Sequence, residues 1–356
     1  MKFYCFLQGA WHGRKKPIKQ VYDEIIAEAV LAEELGYDGI FLAEQNLVSF
    51  LATPDPLQLA AIIAEKTKRI KIGLAIMVLP FHHPLRLAGE LAQLDQLTGG
   101  RLEVGVGRGA SPYQAERYER NMPDDQSRRF FEEHLKIMLT HWAEPEVDHA
   151  HDGEFFRYPE ATVLPGPFQR PHPRLWIAAT SVKSADWSIK LGYKSDHLFS
   201  PFREPVSWVA QLYATFEKAL RDIQRPRIDA DFGINRQTYL APTEAEAREI
   251  LPIIRDAHRI IEQQVHLQNE NIKNGEYNVD KPVPGEPSME EMYENTLIGT
   301  PDIVKRKVAE YYDMGVDLIS TWHHLGQPHE QVRRSMTLFA EHVLPHFRTD
   351  KRERAA

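Results

Sequence analysis

The sequence predicts an α/β protein built as one eight-fold β/α unit, a (β/α)8 TIM barrel over residues 1–347, with its site at the C-terminal ends of the strands. Three observations lead there. Short apolar runs alternate with amphipathic helices along the whole chain, and eight such runs can be counted. The first is followed by Gly9-Ala10-Trp11-His12-Gly13, which lacks the G-x-G-x-x-G turn of an open dinucleotide-binding sheet. The runs are rich in branched apolar residues with little polar alternation, as strands buried on both faces require, and their regular alternation with helices implies parallel pairing.

Residues 3–8 read as the first strand. Over 18–35, Ile18, Val21, Ile25, Ile26, Ala29, Val30 and Ala32 recur three and four apart, which is helix period, and Gly36 is placed to end the helix. Strand 37–43, helix 57–67 and strand 70–79 follow, then helix 85–97, closed by Gly99-Gly100, and strand 102–106. Helix 129–142, strand 174–179, helix 184–191 and strand 196–200 continue the pattern. Helix 205–222, strand 232–240 and helices 244–265 and 301–314 come next, and strand 316–322 with helix 329–347 closes the series.

Two segments interrupt the rhythm. Residues 109–173 insert a loop, a helix and a hairpin over 154–163 between the fourth and fifth strands, and 266–296 insert a polar stretch before the eighth. Long insertions in a compact barrel act as lids or binding loops. Residues 348–356 form a polar C-terminal tail.

Composition narrows the function classes. The 356 residues are 42% hydrophobic and 26% charged with a net charge of -8, so no basic face argues for nucleic acid or an acidic membrane. Cys5 is the only cysteine, which excludes an intramolecular disulfide framework and fits a reducing compartment. The N-terminal apolar run is too short for a signal peptide, and no later run approaches the ~18 residues of a spanning helix. A soluble, cytoplasmic protein is expected.

Candidate chemistry is sought just after each strand. Those positions hold aromatic, amide, hydroxyl and cationic side chains without a clear pair of carboxylates, which weakens a glycosidase reading. The fourth strand ends Gly105-Val106-Gly107-Arg108-Gly109; its glycines serve either a tight turn or the close approach of a ligand, with Arg108 meeting a phosphate. After the fifth come Thr180, Ser181 and Ser184 at the start of a helix, where free backbone N–H groups favour an anion and Ser181 can equally cap the helix. His82-His83 and His323-His324 are adjacent on extended chain and point to opposite sides, so neither pair chelates a metal. His149-Ala150-His151-Asp152 lacks a completing cluster, and no metal is expected. Single histidines at strand ends are read as pocket donors or proton carriers.

One continuous pattern carries a family resemblance. It runs through Ile72-Gly73-Leu74-Ala75-Ile76-Met77-Val78-Leu79-Pro80, His83-Pro84, Leu94-Asp95-Gln96-Leu97, Gly99-Gly100-Arg101 and the Gly105 to Gly109 stretch. It resembles the bacterial luciferase-like family of flavin-dependent monooxygenases. The C-terminal stretches Gly315-Val316-Asp317-Leu318 to Pro328-His329-Glu330 and Ser335-Met336 to Pro345 look like the closing unit of the same family.

The resemblance implies a barrel that holds FMN at its C-terminal face and assembles as a homodimer. It makes Arg108 an FMN contact, puts Arg128 of the Ser127-Arg128 pair on the phosphate, and assigns Thr180, Ser181 and Ser184 to the phosphate loop. Ala75-Ile76 matches a non-proline cis peptide beside the flavin ring. The family's Glu-His-His after the second strand is Glu44-Gln45-Asn46 here, and an amide cannot exchange a proton near neutral pH. Light emission is therefore not expected.

Gln45, His83 and His323 become the candidate catalytic groups, with Trp11 and Trp322 lining the substrate pocket. The expected reaction oxygenates a small apolar organic substrate with O2 and reduced FMN. A separate flavin reductase would supply the flavin, since no site for NAD(P)H is found. The alternatives are a hydride-transferring enzyme using the deazaflavin F420, and a flavin-binding protein without turnover.

Overall fold

The period-two alternation of the strands sorts their side chains into two cores. From β1 (Lys2–Phe6), Phe3 and Cys5 pack outward against α1 (Ile18–Glu34) and its neighbours, while Tyr4 and Phe6 fill the barrel interior. The computed structural model describes residues 1–51, 53–265 and 272–348. The remaining strands are β2 (Gly39–Leu42), β3 (Lys71–Val78), β4 (Leu102–Gly107), β5 (Arg174–Ala179), β6 (Asp196–Phe199), β7 (Phe232–Leu240) and β8 (Leu318–Trp322). Each pairs in parallel with the next, and β8 pairs with β1, so the sheet closes on itself as the sequence predicts.

The helices that follow the strands are α2 (Pro56–Lys66), α3 (Pro84–Thr98), α4 (Asp124–Ala143), α5 (Val182–Lys190), α6 (Val206–Asp222), α7 (Pro301–Met314) and α8 (His329–His342). Their starts are chemically marked. Asp55 accepts from the Leu57 amide before α2, Thr300 caps α7, and Gly99 ends α3 in the left-handed conformation at φ 62°. Burying one Leu or Ile of such a helix face contributes about 1.5–3 kcal/mol. The inward residues Val21 and Ile25 of α1 are 0% exposed, so each makes a contribution of this size. No helix among the described residues is long and apolar enough to cross a membrane.

Several elements differ from the sequence reading. The hairpin expected over 154–163 lies earlier, as antiparallel strands His149–Asp152 and Arg157–Ala161. Its turn is set by the Glu133 carboxylate of α4, which accepts from the amides of Glu154, Phe155 and Phe156, a long-range contact that local pattern does not carry. Helix 244–265 is two helices, Glu244–Arg248 and Leu251–Val265. Pro252 has no amide proton to continue the first and suits the opening turn of the second. A short strand, Leu297–Gly299, was not expected; it pairs in parallel with Thr238–Leu240, the far end of β7. The part of the 266–296 insertion that is described carries a two-residue hairpin at Ile272–Lys273 and Glu276–Tyr277 and the helix Met289–Glu294. Residues 266–271 and 349–356, including nearly all of the expected polar tail, lie outside the described residues.

Candidate active site at the barrel mouth

Strand ends and the helix Leu251–Val265 enclose a cavity of about 350 Å³ at the C-terminal face of the barrel, within the size range of small-molecule sites. Its floor is aromatic. Trp322, 1% exposed, meets Phe6, Phe50 and Phe202 edge-on with ring centroids 5.8, 6.0 and 5.4 Å away, and its Nε1 donates to the His324 carbonyl at 2.8 Å. One wall is the end of β3, where the Ala75–Ile76 peptide is cis, at the position the resemblance marks.

Three amides reach the cavity with polar atoms left without a partner among the described residues: Gln8 Oε1, Gln45 Nε2 and Asn235 Oδ1. Gln45 Oε1 accepts from Gln264 Nε2 at 3.2 Å, and Asn235 Nδ2 donates to Ser200 Oγ at 3.2 Å. A buried donor or acceptor left unmade costs about 1–3 kcal/mol, so these atoms mark a place prepared for a ligand with a polar edge.

At the opposite rim the cations gather. Arg108 Nη1 is 2.8 Å from Asp124 Oδ1, Arg128 Nε is 3.3 Å from Asp124 Oδ2, and Lys183 Nζ reaches the same oxygen at 3.3 Å. Both arginines lie over the Trp187 ring, 5.3 and 4.7 Å from its centroid. Three positive charges thus share one carboxylate, leaving a local excess of two. The Arg108 hydrogen bond, with Lys183 and Arg128 beside it, holds the Asp124 carboxyl down at about 2. Adjacent to them Ser181 caps α5: its Oγ accepts from the Ser184 amide at 3.2 Å, while Ser184 Oγ accepts from the amides of Thr180 and Ser181 at 3.2 and 3.0 Å. Thr180 and Ser181 are exposed on the cavity side and Ser184 is buried under them. A helix N-terminus next to excess positive charge suits an anionic group such as a phosphate.

The residues present therefore fit FMN at two points, an anionic tail at the cationic rim and a polar-edged ring against the three amides. The structure brings together Gln45, Ala75, Arg108, Arg128, Thr180, Ser181, Ser184 and Trp322 around or beside the mouth. It does not bring three others. His83 is exposed outside the cavity and packs edge-on against Phe156 at 5.6 Å. His323 follows inward-facing Trp322 and so points out of the barrel, where its Nδ1 lies 2.9 Å from Ser335 Oγ and burial pushes its ring down to about 3. Trp11 lines a neighbouring cavity of about 370 Å³ that shares only Gln45 and Leu51 with the mouth, and its Nε1 donates to the Lys16 carbonyl at 2.8 Å.

Gly105 and Gly107 serve neither a turn nor a ligand. A Cβ on Gly105 would sit 2.1 Å from the Leu74 carbonyl oxygen, and one on Gly107 would sit 2.2 Å from Ile76 Cδ1, so both let β4 approach β3. Gly109, at φ 77°, is the one of the three glycines that lines the cavity. Among the described residues no group of three or more His, Cys, Asp or Glu is arranged to hold a metal ion.

The sequence reading gave no role to Asp124, Lys183, Asn235, Arg203, Glu44 or His82, all of which stand at or beside the mouth. Lys183 lies inside the Thr180 to Ser184 stretch, and Asp124 is the first residue of α4, where an acidic residue is expected. The Glu44 carboxylate, 8% exposed as a residue, accepts from the Val78 amide at 2.8 Å, from Asn46 Nδ2 at 3.0 Å, and lies 2.9 Å from His82 Nε2.

Comparison with known proteins adds to this geometry. The family description "Luciferase-like monooxygenase" matches residues 1–318. The oxygenase component of the flavin-dependent trigonelline monooxygenase of Acinetobacter baylyi is 28% identical over 99% of this chain and 98% of its own length. The FMNH(2)-dependent dimethylsulfone monooxygenase of Pseudomonas putida is 28% identical over 82% of this chain and 77% of its own. Among solved structures, the monooxygenase RslO1 from Streptomyces bottropensis superimposes with a TM-score of 0.81 at 29% identity, covering 98% of this chain and all of that one.

Proposed function

Because the chain belongs to the luciferase-like monooxygenase family, we propose that it is a flavin-dependent monooxygenase that binds reduced FMN across the barrel mouth and oxygenates a small organic substrate with O2. The observation that carries this reading is the bipolar mouth: excess positive charge at a helix N-terminus on one side, unpartnered amides and an aromatic floor on the other. Arg108, Arg128, Thr180 and Ser181 would hold the phosphate, with Ser184 ordering the loop beneath. Gln8, Gln45 and Asn235 would meet the ring edge, and the end of β3 at Ala75 its face. Bound reduced flavin supplies the electrons that activate O2, so that one oxygen atom enters the substrate and the other leaves as water.

Gln45 orients by hydrogen bonding and holds no exchangeable proton. The proton route we infer is Glu44 and His82. Glu44 faces the cavity, and His82 Nε2, 2.9 Å from its Oε2, connects it to the outer surface. The helix Leu251–Val265, which contributes Ile261 and Val265 to the wall, keeps water from the reacting atoms. A separate reductase would deliver the flavin, and the chain would act as a homodimer; oxygen uptake dependent on an added reductase and sedimentation at micromolar protein test these two points.

The direct test is an FMN titration followed by fluorescence quenching. Arg128→Ala is expected to weaken binding at least tenfold, since a charge-assisted contact contributes about 1.5–3 kcal/mol. Unchanged affinity in Arg128→Ala removes the phosphate assignment.

A further inference from the structure

The wall of the mouth furthest in chemistry from the cationic rim carries one more cation. Arg203, three residues beyond Ser200 in the connection after β6, lines the cavity and is only 7% exposed. Its Nη2 donates to Glu262 Oε1 from the helix Leu251–Val265, which lines the same cavity. A guanidinium carries five N–H donors. Among the described residues this side chain has one hydrogen-bond partner, so most of its donors are unused, while the carboxylates of Glu204 and Glu262, which line the same cavity, both act on its charge and burial pushes its pKa down. The same cavity is lined by Phe202, Trp208, Ile261 and Trp322, apolar surfaces that would cover the body of a flat molecule.

We propose that Arg203 receives the carboxylate of the substrate, and that the enzyme acts on a small organic acid with a planar apolar body rather than on a wholly apolar compound. The inference rests on the flavin-monooxygenase reading and names the substrate class of that site. The planar fork of an arginine matches a carboxylate with two parallel N–H bonds. Glu262 holds the guanidinium in the free enzyme and competes with the substrate for it. The acid group is thereby anchored on the wall away from Arg108 and Arg128, so it does not compete for the phosphate cradle. The ring is left over the aromatic floor, facing the end of β3.

The test uses FMN-loaded protein and two probes of equal shape, benzoate and benzamide, titrated by calorimetry. Benzoate is expected to bind at least tenfold more tightly than benzamide. Arg203→Met should erase that preference without changing FMN affinity, measured separately by fluorescence quenching. Glu262→Gln should tighten benzoate severalfold and leave benzamide unchanged, because it removes the competing carboxylate; a merely structural ion pair would give no such gain. Equal binding of the two probes, binding of neither, or a benzoate preference that survives in Arg203→Met overturns the inference while leaving the flavin reading intact if FMN still binds. Failure of the wild-type protein to bind FMN overturns the flavin reading itself.

Discussion

At the N-terminal end of the barrel, Glu103 accepts from Tyr4 Oη at 2.9 Å and Trp176 Nε1 at 2.7 Å, and lies 3.6 Å from Arg174 Nη1. Arg174 in turn reaches Asp196 and Asp231, each at 2.6 Å, and its guanidinium covers the Trp176 ring. At the C-terminal end, among the described residues, Gln8, Gln45 and Asn235 keep buried atoms without partners, and Arg203 uses one donor of five. Both ends bury polar groups. The base saturates them and the mouth leaves them open. A closed network fixes the register of the strands it joins, whereas open polar atoms store a cost that a ligand relieves. Conserving chemistry at one pole and varying it at the other is how one barrel can carry different activities.

The contrast predicts a hierarchy of effects. Glu103→Ala strands a buried phenol and an indole N–H at once and takes one of three carboxylates from around Arg174; a loss of about 2–4 kcal/mol in urea-unfolding stability is expected. A loss below 1 kcal/mol would mean that the base is no more integrated than the mouth. Acidification strikes next. His134, His197 and His323 are buried and each is pushed by burial to about 3. Their neutral forms stabilise the fold fully above the unfolded value near 6.5, and that stability is lost as pH falls from there toward 3. Chemical denaturation at pH 7 and pH 5 should differ by about 2 kcal/mol for each of these histidines, and His323→Gln should flatten the dependence by one such share. A curve without slope in this window would contradict their burial as neutral rings.

At the mouth the signs reverse. Gln45→Leu removes an unpartnered buried donor, so stability should hold or rise, within about 1 kcal/mol, while FMN affinity drops severalfold. Thermal melts with and without FMN separate the two. If the variant is destabilised and FMN binding is untouched, Gln45 belongs with the structural groups of the base. Ser184→Ala is the smallest expected effect, about 0.5–1 kcal/mol from the lost capping box, with FMN affinity reduced only about twofold.

The barrel itself was legible because eight buried strands and their helices write two periods into the chain, and those periods survive whatever the loops do. The cationic rim proposed for the phosphate was legible as residues too, since Arg108, Arg128 and Ser181 stand in short local motifs. The wall proposed for the substrate was not. Arg203 and Glu262 meet across 59 positions of sequence, and neither stands in a recognisable pattern. His323 was misplaced although the signal was present: once Trp322 faces the interior, the next residue on an extended strand must face out. His83 sits as the N-cap of α3, outside any strand, so no such parity applies, and it packs against Phe156 from the distant hairpin.

The three-residue strand Leu297–Gly299 has a further consequence. By pairing with Thr238–Leu240 it lays the exit of the chain from β7 alongside its return to α7. Everything between, including the helix that carries Glu262, leaves and rejoins the scaffold through one narrow doorway. Such a cassette can be exchanged between relatives by cutting at two adjacent points, which offers a route to new substrates that leaves Arg108, Arg128 and the Thr180 to Ser184 turn in place.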